Sequence, residues 1–434
     1  MGSLGNIKNM PLRSRISTVV PATPWSDQNS AYELQNMDLL LKLHYIRSAY
    51  FFSNDAVQGF SNYDLKKAMF HLLDTYSHVS GRIRRSDSGR PFIKCNDAGV
   101  RVAESYCDKT LAEWIADAGY SIDGLVQDHV LGPDLGFSPL VFIQFTRFQC
   151  GGLTVGLSWP HVLGDAFSAL NFIALWSKIM AGHVPPKALQ VSTHTKPELP
   201  PSVSDKPISA KRSVDVGERW LVADHRNVKN HSFRLTSKQL NHLGATITTT
   251  APASYFEILS AIVWKSLCQI REDASGINTV TICTNGSMRK EGDFPINGLV
   301  FSKVEADFAV EKSDVSELAK LIGEKKAVEN NILEKTVEED EGKGDFVVYG
   351  ASLTFVDLEG AEFYEVKLNG RKPILANCAF QGVGDEGVVL VLPAPEGDDN
   401  VEDGGGNGRI ITVALPPSEL EQLKTKMETD WGIV

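Results

Sequence analysis

The stretch from Leu140 to Met180 restricts the fold more than any other part of this chain. Leu140 to Phe148 is apolar and rich in β-branched and aromatic residues, Gly151 and Gly152 supply a turn, and Leu153 to Leu157 runs back, so a β-hairpin is predicted. Ser158-Trp159-Pro160-His161-Val162-Leu163-Gly164-Asp165-Ala166 follows at once. Beyond it Ala166, Leu170, Ile173, Ala174 and Ile179 recur at helical spacing. His161 and Asp165 therefore stand where a strand gives way to a helix. A neutral imidazole at such a strand end can take the proton of an attacking hydroxyl or amine, because its unperturbed pKa lies near working pH. A carboxylate four residues later is less easily placed as the orienter of that ring and is expected to hold the turn.

The remaining elements alternate between the two periodicities. Arg15 to Pro21 reads as a strand closed by prolines at 21 and 24, and Asn36 to Phe52 as a densely buried segment opened by a cap at Asn36 or Asp38. His44, inside that segment, is expected to be a packed core histidine. Tyr63 to Tyr76 is an amphipathic helix, and Arg82 to Asn96 folds as strands about Asp87-Ser88-Gly89, with Arg82, Arg84 and Arg85 on a solvated edge. The proline-, serine- and lysine-rich stretch from Pro185 to Pro207 marks a crossover between domains. After it come a strand at 231–235, a helix at 236–243, and a helix at 254–270 with Ser254 and Glu257 as a capping box. Strands are expected at 278–283, 299–304, 346–356, 362–368, 376–383, 387–392 and 409–414. Helices are expected at 313–336, charged and solvent-facing, and at 417–427. The mixture is α/β without internal repeats. The expected division is an N-terminal domain over 1–184, a crossover over 185–216, and a C-terminal domain over 217–434, with part of 350–400 packing on the first domain.

Charge and cysteine usage narrow the partners. A net charge of −11 over 434 residues, with no basic cluster, argues against nucleic acid and anionic membrane surfaces. Six cysteines, at 95, 107, 150, 268, 283 and 378, show no C-x-x-C spacing, so no metal site and no disulfide framework is expected. No apolar h-region or spanning run occurs, so the expectation is a chain facing the cytosol with no transmembrane segment. Gly2 is a weak myristoylation candidate, because position 6 is Asn rather than Ser or Thr. Gly382-Val383-Gly384-Asp385-Glu386-Gly387 has G-x-G-x-x-G spacing but opens no helix and reads as a hairpin turn, and the glycine run at 404–408 reads as a loop. Ser158 sits in G-x-S-x-P, which does not support a nucleophile elbow.

Together these segments resemble the plant BAHD family of acyl-CoA-dependent acyltransferases, whose H-x-x-x-D stretch is matched by His161 and Asp165. The resemblance extends over nearly the whole chain, through STVVP near residue 17, SGR at 80–82 and FYEV at 363–366. It implies two chloramphenicol-acetyltransferase-like α/β domains with mixed sheets, joined by a crossover loop, with a channel at their interface. It also implies acyl-CoA as substrate with no permanently bound cofactor, His161 as general base, and Asp165 in a structural role. The second family motif, D-F-G-W-G before K-P, is degenerate here: Lys367-Leu368-Asn369-Gly370-Arg371 precede Lys372-Pro373. Its aspartate, which in the family pairs with an arginine of the other domain, is replaced by Lys367. The partner region reads Asn285-Gly286-Ser287-Met288-Arg289.

That erosion, with MDLLLKLHYIRSAYFF, DHVLGPDLGFSPLVF and GLTVGLSWPHVLGD, resembles the eceriferum and glossy subgroup. The subgroup implies an accessory protein of very-long-chain fatty-acid elongation for cuticular wax. Its partner would be the condensing enzyme of the elongase, a 3-ketoacyl-CoA synthase, whose product length it modifies. It would be held at the cytosolic face of the endoplasmic reticulum through that partner, with cytosol or nucleus as further compartments, and would be monomeric on its own. The alternative is an active O- or N-acyltransferase using His161. Catalysis needs a positioned constellation rather than a lone base, which favours the accessory role.

Overall fold

The computed structural model describes residues 13–24, 30–187, 189, 206–214, 216, 219–222, 227–247, 253–271, 277–286, 293–324, 326–395 and 408–434. The chain opens with β1 (Arg13–Val19), β2 (Ala31–Glu33), α1 (Asn36–Leu40), β3 (Tyr45–Phe52), α2 (Asn54–Val57), α3 (Asn62–Thr75), β4 (Arg82–Arg85), β5 (Pro91–Lys94), β6 (Val100–Cys107), α4 (Leu111–Ala118), β7 (Phe142–Phe148), β8 (Leu153–Pro160) and α5 (Ala166–Met180). It continues with β9 (Lys211–Ser213), β10 (Lys229–Leu235), α6 (Ser237–Ile247), α7 (Tyr255–Ile270), β11 (Thr279–Asn285), β12 (Leu299–Glu305), α8 (Val315–Glu324), β13 (Ala327–Val328), α9 (Asn330–Glu339) and β14 (Asp345–Val347). It ends with β15 (Thr354–Asp357), β16 (Leu375–Gln381), β17 (Val388–Pro393), β18 (Arg409–Leu415) and α10 (Pro417–Trp431).

Two mixed sheets carry the architecture. The first has the order β1-β6-β7-β8-β3-β16 and the second β10-β18-β17-β15-β11-β12-β13. Within the first, β6 and β7 are parallel and β7 and β8 form the antiparallel hairpin. β16 comes from late in the chain yet pairs with β3, placing Asn377 opposite Ala49. The second sheet is buried on both faces. Along β17, Val389 and Val391 point into the cluster formed with α7, α8 and α10, whereas Val388, Leu390 and Leu392 point into the large cluster shared with the first sheet. That two-sided burial explains why the strand is a continuous apolar run rather than an alternating one.

Several expectations change. Asn36 to Phe52 is not one element: α1 stops at Leu40 and β3 begins at Tyr45, because Tyr45 to Phe52 pairs along its whole length with β8. The cap of α1 is Gln35, with Asp38 receiving its backbone N–H in a capping box. The single helix expected over 313–336 is two, α8 and α9, separated by β13 and by Glu329. That residue is 2% exposed and accepts from the Ile208 and Ser209 N–H groups and from Ser209 Oγ. A buried carboxylate tying down Ile208 and Ser209 cannot stand on a solvated helix face. Phe346 to Val356 is broken between β14 and β15 by a turn, with Gly350 at φ +83°. Residues 363–365 form a 3₁₀ turn instead of a strand. Arg82 is buried rather than edge-exposed, its guanidinium donating to the carbonyls of Gly81, Gly99 and Ala98. Residues 188, 190–205 and 215 of the expected crossover, Gly2, 287–289 and 404–407 lie outside the described residues.

Candidate functional site

β8 delivers His161. Every residue of Leu153–Pro160 is buried, since the strand lies between β7 and β3 with apolar layers on both faces. At its end the His161 N–H donates to the His44 carbonyl at 2.9 Å, so the chain leaves the sheet at the point where β3 is about to enter it. A 3₁₀ turn over His161–Leu163 follows, closed by Gly164 at φ +133°, a conformation that only glycine adopts without strain. The Trp159 indole N–H locks the turn by donating to the Gly164 carbonyl at 3.0 Å.

Asp165 is the N-cap of α5. Its Oδ1 accepts from the Phe167 and Ser168 N–H groups at 3.1 and 3.2 Å, satisfying amides that the helix leaves unpaired. Its Oδ2 accepts from the Gly298 N–H at 3.0 Å, and its own N–H donates to the Ile296 carbonyl at 3.2 Å. Ser168 Oγ donates to that carbonyl and accepts from the Ile296 N–H. The segment Ile296–Gly298, from the second half of the chain, is thus strapped onto the motif.

The His161 ring is 0% exposed and held at both nitrogens. Nδ1 lies 2.8 Å from Asn297 Oδ1 and Nε2 lies 2.8 Å from the Tyr349 hydroxyl. The Asn297 amide is oriented by its Nδ2, which donates to the His161 carbonyl at 2.9 Å and to Asp38 Oδ1 at 2.8 Å. Because a backbone carbonyl only accepts, Oδ1 must face the ring, so Nδ1 carries the proton and the lone pair is on Nε2. The Tyr349 hydroxyl donates into that lone pair. Burial holds the Tyr349 phenol well above its usual pKa and keeps it protonated. Burial also pushes Asp38 up to about 6, against the lowering by the Asn297 side chain and the Gln35 N–H. His44 is packed as expected, its Nε2 accepting from the Val348 N–H at 3.0 Å and its ring edge-on to Tyr349 at 4.9 Å.

The second motif lies elsewhere. Lys367 and Lys372 pair with Glu365, and Arg371 pairs with Asp55. Leu368 is buried, and Asn369 and Gly370 turn the chain at positive φ, with Asn369 Nδ2 donating to the Gln58 carbonyl. The Lys367 N–H reaches Ser177 Oγ, twelve residues along α5 from Asp165, about 18 Å at 1.5 Å per residue. The reversed charge at 367 is therefore neutralised within its own turn. Of the partner region, Asn285 closes β11 opposite Leu299, and the Gly286 N–H donates to the Gly298 carbonyl.

Sequence reasoning named His161, Asp165 and, as a cap, Asp38. It missed Asn297 and Tyr349, which are 136 and 188 residues from His161 and share no local pattern with it. Among the described residues no group of three or more His, Cys, Asp or Glu could hold a metal ion.

The profile of the Transferase family matches residues 13–430. Protein ECERIFERUM 2 of Arabidopsis thaliana is 41% identical over 429 residues, covering 95% of this chain and 97% of that protein. Among solved structures, vinorine synthase superposes with a TM-score of 0.66 at 16% identity, covering 95% of this chain and 96% of that one. TRI101 of F. graminearum complexed with coenzyme A and T-2 mycotoxin superposes at 0.67 and 15% identity, covering 93% and 98%.

Proposed function

This chain belongs to the Transferase family of BAHD acyltransferases, in its eceriferum branch, and from that premise we propose that it acts as an accessory protein of very-long-chain fatty-acid elongation for cuticular wax. It adjusts the chain length made by a 3-ketoacyl-CoA synthase, binding that enzyme and acyl-CoA rather than transferring the acyl group. The observation that carries this reading is the closure of His161: a fully buried ring, with both nitrogens engaged by side chains of the same chain, offers no lone pair to an acceptor. A general base must be within hydrogen-bond reach of the proton it abstracts, and here that place is filled by Tyr349.

No helix among the described residues is long and apolar enough to cross a membrane, so residence at the cytosolic face of the endoplasmic reticulum would come through the condensing enzyme. On its own the chain is proposed to be monomeric. One observation favours active acyl transfer as the second reading: with Nδ1 protonated toward Asn297, His161 is in the tautomer a base at Nε2 requires. The deciding experiment co-expresses a condensing enzyme with this protein or its His161→Ala variant and measures acyl-chain lengths at equal protein levels. Extension retained in the variant supports the accessory role; extension lost with the variant still folded makes His161 a working base.

A further inference from the structure

We propose that Tyr349 is the residue that withholds His161 from acyl transfer, its hydroxyl occupying the Nε2 lone pair that a substrate hydroxyl would have to reach. This deepens the accessory reading and rests on it, by naming what keeps the retained motif silent. Three features hold the hydroxyl in place. The Tyr349 ring is 0% exposed and packed against Phe380 at 4.7 Å and His44 at 4.9 Å. Its backbone carbonyl accepts from the Gly384 N–H at 2.9 Å. The turn that carries it abuts the Gly382–Gly387 loop so closely that a Cβ at Gly350 would lie 2.4 Å from the Gly384 carbonyl oxygen, and one at Gly384 would lie 2.6 Å from that of Gly350. The glycine spacing that fails as a phosphate loop is thus the seat of the tyrosine turn.

With the phenol removed, the chemistry open to His161 is defined. The acceptor O–H proton moves to Nε2 as its oxygen bonds to the thioester carbonyl carbon; collapse breaks the C–S bond, and the departing thiolate takes the proton, leaving ester or acid and coenzyme A. An acceptor reaches Nε2 only by displacing a buried phenol from the hydrogen bond it already makes there.

The test uses the purified full-length chain and its Tyr349→Ala variant. His161 is followed by diethyl pyrocarbonate labelling and peptide mass spectrometry, with the half-exposed His71 as internal reference. Coenzyme A release from a long-chain acyl-CoA is followed with an alkanol present. The expected result is at least ten-fold faster His161 labelling in the variant and a rise in thiol release that the added His161→Ala change abolishes. Wild-type His161 labelling as fast as His71, unchanged labelling in the variant, or labelling gained with no rise in release would each overturn the proposal. If Tyr349→Ala does not fold, Tyr349→Phe removes only the hydroxyl, and the imidazole ¹⁵N signal of His161 Nε2 must then move; an unmoved signal overturns the proposal. These readouts do not depend on chain length in the co-expression host, so the two failures are told apart: an accessible His161 here with extension retained in His161→Ala there overturns the masking alone, whereas extension lost there overturns the accessory reading and the masking with it.

Discussion

Asp165 binds three backbone N–H groups with two oxygens while fully buried, two in its own helix and one in the strap at Gly298. Replacing it with Ala removes a cap worth about 1 kcal/mol and leaves a buried amide unpaired at about 2 more, so a loss near 3 kcal/mol is expected in equilibrium denaturation. A loss below about 1 kcal/mol would deny the aspartate its structural role. Titration makes a second prediction at this scale. His44 and His78 are buried and held neutral, burial lowering each to about 3. Below the unfolded value near 6.5 the unfolded chain takes up protons that the native state refuses, so each costs about 1.4 kcal/mol per pH unit as acid is added. Asp38 has the opposite sign: its folded value of about 6 lies above the unfolded one, so between about 6 and 4 its protonation favours the fold and offsets one of the two histidines. Asp38→Asn removes that offset, so the loss of stability between pH 6 and 4 is expected to be steeper in the variant by about 1.4 kcal/mol per unit, read from urea midpoints at pH 6 and 4.

At the scale of elements, local signals suffice where an element's ends are local. α7 begins where Ser254 and Glu257 cap each other, and Ser254→Ala should cost about 1 kcal/mol of stability, measurable as a lower denaturant midpoint with unchanged slope. The break between α8 and α9 is of another kind. The apolar positions of 315–322 pack on α7, whereas Leu333 and Val337 belong to the cluster shared with the first sheet. Glu329 fixes the change of direction by gathering donors from Ile208 and Ser209. Glu329→Gln turns one acceptor oxygen into a donor facing N–H groups, and a cost of about 2 to 4 kcal/mol is expected from chemical denaturation. A cost near zero would mean the segment at Ile208 and Ser209 is not anchored there.

For the whole molecule, the two halves are knitted rather than merely adjacent. β16 closes the first sheet from within the second half. From it Asn377 Nδ2 donates to the Tyr120 carbonyl and to Ser232 Oγ of β10, while its Oδ1 accepts from Thr412 Oγ1 of β18. Scanning calorimetry should therefore show one cooperative transition, with calorimetric and van't Hoff enthalpies equal; two resolved transitions would contradict a shared core.

The alternation of strand and helix, the hairpin leading to His161, the cap at Ser254 and a turn held by Asp165 were legible in the sequence. Each depends on neighbours within a few residues, where side-chain period and capping chemistry act directly. The closure of His161 was not. Asn297, Tyr349 and the glycine seat at 382–387 meet the motif only when β16 enters the first sheet and the Ile296–Gly298 strap crosses to Asp165, and no short-range pattern encodes a contact across 136 or 188 residues. The sequence determined that this chain carries a histidine where a strand gives way to a helix; the packing of the two halves against each other decided that both nitrogens of its ring are engaged.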